Sequence, residues 1–197
     1  MHHYLTFNDI HFHYPHAEEA LRGVSFTLHH GEHVAIAGAN GAGKSTLLML
    51  CNGLLMPTSG WVDVGGVRLT EQSLQTIRQQ VGLIFQDADN QLFMPTVEED
   101  IAFGPSLMHL TDEEVATRTS QAMHEVGIEH LRGREPHSLS GGEKRRTAIA
   151  TVLAMTPSIL LLDEPTTGLD PRSRRQLIAL LRSFRHTMLI ATHDMDM

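Results

Sequence analysis

Residues 38–46 read GANGAGKST, and this stretch decides the fold. Gly38, Gly43, Lys44 and Ser45 take the fixed places of the pattern G-x-x-x-x-G-K-[ST]. An apolar strand is expected before it at 33–37, and a helix after it at roughly 44–53. Gly41 and Gly43 let the backbone curl without a Cβ clash. The curled N–H groups, from Asn40 onward, and the N-terminus of the following helix then face an anion. In such a loop Lys44 reaches the β and γ phosphates of a nucleotide, and the Ser45 hydroxyl goes to Mg2+, with Thr46 beside it. The competing reading is a glycine-rich turn that merely precedes a helix. A lysine, a hydroxyl and both flanking elements argue against it.

Farther along, ILLLDEPTTGLD at 159–170 places two adjacent carboxylates at the end of an apolar run. Neighbouring side chains of a strand point to opposite sides, so Asp163 and Glu164 should have different jobs. Asp163 suits the Mg2+ site beside Ser45. Glu164 suits the polarisation of a water molecule for attack on the γ-phosphate. SILLLDEP at 158–165 and TMLIAT at 187–192 read as buried strands without alternation and flank PRSRRQLIALLRSF, a helix with Pro171 near its start. Strand, helix and strand of that kind predict a parallel sheet in a three-layer α/β core. At the N-terminal end, 4–14 and 24–29 alternate as half-buried strands do, and Trp61 to Val67 reads as a further strand. The opening is therefore expected to be a mixed, largely antiparallel β region. Thr111 with Glu114 forms a capping box ahead of a helical stripe that runs to about 128. A second helix is expected from about Gly142 to Ala154. No strand is legible from Val97 to Ala154, which predicts a helical subdomain over about 97–154.

The chain has 197 residues, room for one compact domain or one domain with a small satellite. A net charge of −8 offers no basic face for nucleic acid. The single cysteine, Cys51, cannot close an internal disulfide and reads as a buried thiol. No run of 18 apolar residues and no signal peptide is legible. The fourteen histidines are scattered without the spacing of a zinc site. They read mainly as solvated side chains.

LSGGEKRR at 139–146 asks for more than a lone phosphate loop. Ser140, Gly141 and Gly142 form a small platform at a helix start, which is itself fit for phosphate. A second such element makes sense if two copies of the domain face each other and each completes the other's site. At this point the chain resembles the ATP-binding subunits of ABC transporters. The motifs stand in that family's order: Tyr14, GANGAGKST, Gln86, LSGGE, LLLDEP, GLD at 168–170, and His193 in ATHD. The stretch GLIFQDADNQLFMPTVEEDIAFGP at 82–105 is more narrowly similar to the ATPases of energy-coupling factor transporters and of cobalt and nickel importers.

The resemblance implies a P-loop NTPase of ABC type, with ATP as substrate and Mg2+ as cofactor. It implies that Tyr14 stacks on adenine, in a strand region that also offers Phe12 and Phe7. Gln86 would touch the Mg2+ and the attacking water and act as the hinge between core and helical subdomain. Segment 87–93, with Leu92 and Phe93 as exposed apolar anchors, would line a groove for a transmembrane subunit. Ser140, Gly141 and Gly142 would act on the other protomer's nucleotide, Asp170 would shape the dimer contact, and His193 would hold the γ-phosphate. The implied partners are a transmembrane coupling subunit, a substrate-binding membrane subunit and a second ATPase in a homodimer or heterodimer, at the cytoplasmic face of the membrane and without nucleic acid. The expected activity is ATP hydrolysis that energises import of cobalt or nickel. A vitamin energy-coupling factor transporter, a non-transport ABC ATPase on a nucleic-acid complex, and a nucleotide-gated binding module are the rivals. Lys44, Glu164 and His193 all being present speaks against the last. Relatives run on past the switch histidine, so the short stretch after His193 is expected to lack the usual end of the core.

Overall fold

The computed structural model describes residues 3–16 and 18–193; His2 and the residues after His193 lie outside them. The described chain falls into two units. The first runs to Leu83 and returns for Ser158–Glu164 and again from Arg185, and the second takes Ile84–Pro157 and Pro165–Phe184.

In the first unit, β1 (His3–His13) and β2 (Glu19–His29) pair antiparallel, as alternating strands joined by a short connection do. β3 (His33–Ala37) leads to the phosphate loop, and α1 (Lys44–Cys51) follows it. The expected strand from Trp61 to Val67 divides into β4 (Ser59–Val64) and β5 (Val67–Arg68). Gly65 and Gly66 between them both have positive φ, 58° and 86°, the requirement of a tight hairpin. The order in this sheet is β2-β1-β4-β5, with antiparallel pairings. Helix α2 (Leu74–Gln80) and strand β6 (Val81–Ile84) come next. With β7 (Ile159–Asp163) and β8 (Thr187–Thr192), β3 and β6 form a second sheet of order β3-β8-β7-β6. Its β3–β8 and β7–β8 pairings are parallel. Every residue of β7 and β8 is buried, which explains their unbroken apolar sequence.

The core of this unit lies around α1. Leu47, Leu48, Leu50 and Cys51 join Leu5, Phe7 and Val62 of the antiparallel sheet and Ile159, Leu161 and Leu189 of the parallel one in a single cluster. Each such aliphatic side chain contributes about 1.5–3 kcal/mol on full burial. The helix that carries the phosphate loop is thus held from both sides.

The second unit is helical, with no strand beyond Ile84 among its described residues. It contains α3 (Val97–Ser106), α4 (Asp112–Val126), α5 (Gly141–Leu153) and α6 (Pro171–Ser183). Their starts are written in local chemistry. Thr96 with Glu99, Thr111 with Glu114 and Ser140 with Glu143 are reciprocal capping boxes, and Asp170 caps α6 through the N–H groups of Arg172 and Ser173. Gly127, at φ 70°, ends α4 in the left-handed conformation. Helices α3, α4 and α5 pack on one another, and α5 also meets α6.

Candidate functional site: a phosphate loop with a paired lysine and glutamate

Helix α1 differs from the capped helices at its N-terminus. Its N-cap is Gly43, at φ 86°, with no side-chain cap and no acidic residue in the first turn. Its first N–H groups are left for an outside acceptor. Glycine is required at 43 twice over. The φ is left-handed, and a Cβ would meet the Ala20 carbonyl oxygen at 2.8 Å and Leu21 at 2.9 Å. Gly41, at φ 80°, makes the preceding curl.

Lys44 is 8% exposed and lies folded over the loop. Its Nζ donates to the carbonyl oxygens of Gly38 at 2.8 Å and Ala39 at 3.2 Å. The same Nζ lies 3.2 Å from Glu164 Oε1, whose side chain is 7% exposed. The other oxygen, Oε2, accepts from the His193 backbone N–H at 3.2 Å and sits 2.6 Å from His193 Nδ1. Burial alone would raise the Glu164 pKa. The His193 N–H, the Lys44 ammonium and the His193 ring together outweigh it and hold the carboxyl below its ordinary value. The carboxylate is therefore charged, with Oε2 hydrogen-bonded to His193 and Oε1 held by the ion pair with Lys44.

The expectation that Asp163 and Glu164 diverge by strand alternation needs a different reason. Strand β7 ends at Asp163, and Glu164 has left the strand, at φ 44° with its N–H donated to Ala191 O at 2.8 Å. A left-handed glutamate is strained, and that backbone turn delivers its carboxylate to Lys44 and His193. Asp163 stays buried at the strand end. Ser45 opens α1. Together these two supply only oxygen donors, the type that suits a hard cation such as Mg2+ completed by phosphate and water oxygens.

Tyr14 is 39% exposed. Its hydroxyl lies 3.0 Å from Thr46 Oγ1, and its ring meets Phe12 edge-on at 4.9 Å. Phe7 is not available beside it, contrary to expectation. That ring is 2% exposed and stacked on Phe26 at 4.7 Å, so it belongs to the core. Among the described residues no group of three or more His, Cys, Asp or Glu is placed to hold a metal ion, and no helix is long and apolar enough to cross a membrane. Cys51 is buried, and burial pushes its thiol pKa far up.

The second unit carries Gln86 and the Ser140–Gly142 platform. Ser140 caps α5, with Glu143 Oε2 accepting from its Oγ at 2.6 Å. Gly142 sits close against Ser173, where a Cβ would meet Oγ at 2.8 Å. Ser140, Gly142, Arg146, Asp170 and Ser173 line one open pocket. Leu92 is half-buried rather than exposed, whereas Phe93 is 65% exposed, edge-on to Phe103 at 5.0 Å. Sequence reasoning missed Asp100, a carboxylate 3% exposed that accepts from the N–H groups of Phe93 and Met94, each at 3.0 Å. Burial raises its pKa. It also missed Arg145 and Gln91, which bond the Gln86 segment to α5. The Thr96–Glu99 box signals the helix that presents Asp100, but no local pattern marks the other two.

The family model for ABC transporters matches residues 21–167. A putative ABC transporter ATP-binding protein of Geobacter sulfurreducens is 55% identical over 196 residues, covering all of this chain and 79% of that protein. The energy-coupling factor transporter ATP-binding protein EcfA of Methanosphaera stadtmanae is 47% identical over 94% of this chain and 69% of its own length. Among solved structures, CbiO1 of Clostridium perfringens, part of the ABC transporter complex CbiONQ, matches with a TM-score of 0.90 and 39% identity, over the whole chain and 80% of its own. A dimeric ATP-binding cassette in a post-hydrolysis state, bound to ADP and Pi, matches with a TM-score of 0.86 and 29% identity, over 98% of this chain and 89% of that one. With a bare-ended α1 behind its phosphate loop and a carboxylate paired to the loop lysine, this chain belongs to the ABC transporter ATP-binding family, as an ATP-binding and ATP-hydrolysing subunit related to the CbiO and EcfA ATPases.

Proposed function

We propose that the chain energises the import of a metal ion, cobalt or nickel, through a membrane complex, hydrolysing ATP at its cytoplasmic face. The observation that carries the hydrolytic part is the Lys44–Glu164 pair at 3.2 Å. The phosphate oxygens of ATP take Lys44 and the open N–H groups of α1. Glu164 Oε1, released from the ammonium, then accepts a proton from water as its oxygen attacks the γ-phosphorus and the bond to the ADP oxygen breaks. His193 keeps Oε2 oriented. Tyr14 supports the adenine, with the Thr46 contact fixing the ring's approach. Ser45 and Asp163 would hold Mg2+, which when bound neutralises charge on the phosphates, and the family resemblance gives Gln86 its role toward the nucleotide's metal and attacking water.

A second copy of the ATPase, in a homodimer or heterodimer, presents Ser140, Gly141 and Gly142 to the nucleotide, with Asp170 at the contact. A transmembrane coupling subunit docks on Phe93, and a substrate-binding membrane subunit selects the cargo. The exposed Phe93, Phe103 and Leu107 support such docking, because they are large apolar side chains left to solvent. The similarity to CbiO1 supports a partnered complex. The similarity to EcfA proteins favours a second reading, a vitamin transporter of the energy-coupling factor type. Vesicles carrying the intact complex, loaded with ATP and given labelled Co2+ or Ni2+, decide between them. Uptake abolished by Glu164→Gln supports the metal reading. Hydrolysis that responds to a vitamin, with neither metal accumulating, overturns it.

A further inference from the structure

The segment after β6 is joined to α5 by five side-chain hydrogen bonds. Arg145, a buried residue of α5, donates Nη1 to Phe85 O at 2.6 Å and Nη2 to Gln86 O. Gln91 takes the other polar group of Phe85, its Oε1 accepting from the Phe85 N–H at 3.3 Å. The amide of Gln91 donates to Ala148 O at 2.7 Å and to Thr151 Oγ1 at 2.8 Å, both on α5. Lys144 Nζ pairs with Asp89 Oδ1 at 2.6 Å. Within the segment, a 3-10 turn at Ala88–Asn90 is closed by the Asp89 N–H donating to the Asp87 side chain at 3.0 Å. Both backbone groups of Phe85 and the carbonyl of Gln86 are thereby held by groups that are on α5 or tied to it. The Gln86 side chain makes none of these bonds. A buried guanidinium aimed at two carbonyls is a directional constraint, because its fork is rigid and every bond is charge-assisted.

We propose that Arg145, with Gln91 and Lys144, is a positioning residue that makes Gln86 and the Ser140–Gly142 platform at the start of α5 one mechanical piece. This rests on the reading above that both face nucleotide. A displacement of the platform when a second copy engages is then carried along α5 into Gln86 without any loosening of the segment between. Lys144 gives its exposed side a further charged tether, and neutral residues there would leave the piece held by Arg145 and Gln91 alone.

The test uses the full chain with Arg145→Met, Arg145→Lys, Gln91→Leu and Gln86→Ala, read by amide hydrogen exchange and by steady-state ATP hydrolysis. In Arg145→Met and Gln91→Leu, exchange should accelerate at 85–91 while α4 and the phosphate loop keep parent rates. Turnover should fall about tenfold or more, as expected for a misplaced contact group, with KM for ATP within about twofold of the parent. Arg145→Lys should recover part of both effects, since an ammonium reaches one carbonyl. If Arg145→Met does not fold, Gln91→Leu reads the same constraint from the half-buried side. Unchanged exchange at 85–91, or parent turnover beside a crippled Gln86→Ala, overturns the inference alone. Parent turnover in Gln86→Ala overturns the reading of Gln86 and the inference with it.

Discussion

Replacing Glu164 by glutamine should weaken the nucleotide-free chain and strengthen ATP binding at once. Lys44 and Glu164 lie 3.2 Å apart with side chains 8% and 7% exposed. At an effective dielectric near 20, such charges attract by about 5 kcal/mol, much of which desolvation offsets. Removing one partner of a buried pair usually costs about 3–5 kcal/mol. Here two of the three N–H donors of Lys44 keep their carbonyl acceptors, Gly38 and Ala39. A glutamine oxygen can also still accept from His193. The expected loss is therefore about 2 kcal/mol, a drop in Tm of roughly 4–8 °C for a chain of this size. Phosphates restore the partner of Lys44, so the variant regains that energy on binding, and ATP affinity should rise by about thirtyfold. Turnover should collapse, because the amide takes no proton. Thermal melts without nucleotide and calorimetric titration with ATP measure the two effects. An unchanged Tm together with unchanged ATP affinity would refute the pairing as the resting state of the site.

The remaining predictions concern other parts of the fold. Gly43→Ala forces a Cβ into the Ala20 carbonyl at 2.8 Å at a left-handed φ, and should cost about 2 kcal/mol or more and abolish ATP binding, read by melts and titration. Asp100→Ala leaves two N–H groups without their acceptor. It should lose about 1–3 kcal/mol and weaken assembly with the transmembrane partner, with ATP affinity unchanged. Phe93→Ala should keep stability within about 1 kcal/mol, because the ring is 65% exposed, but lower the yield of complex. The Glu164 carboxyl is held below its ordinary 4.5. Its contribution is thus fully present above that pH and is lost as pH falls through the lower folded value. Acid melts should show the parent losing stability over that window more steeply than Glu164→Gln.

Much of the fold was legible because its determinants are local. The phosphate-loop pattern, the two strands without alternation, and the Thr111–Glu114 capping box each lie within a few residues, where sterics and short hydrogen bonds act before any tertiary contact forms. Glycine at 43 is required by a backbone angle that the motif already implies. The division of 61–67 into two strands was also local, encoded by Gly65-Gly66. The Tyr14 and Phe7 rings show where such reading ends. Both lie near the same strand, yet Phe7 sits within β1 opposite Phe26 and is core, whereas Tyr14 lies just past the end of β1 and is open. The left-handed turn at Glu164 follows from the neighbouring β8, whose Ala191 carbonyl takes the glutamate's N–H. Lys44 meets Glu164, and Arg145 meets Phe85, across long loops of chain. No sequence window contains both members of either pair. By itself the sequence determined which groups are present, which helices are capped and which strands are buried. Only the tertiary structure decided that Lys44 is paired with Glu164 and that the Gln86 segment is bonded to α5, since partners distant in the chain are chosen by packing rather than by spacing.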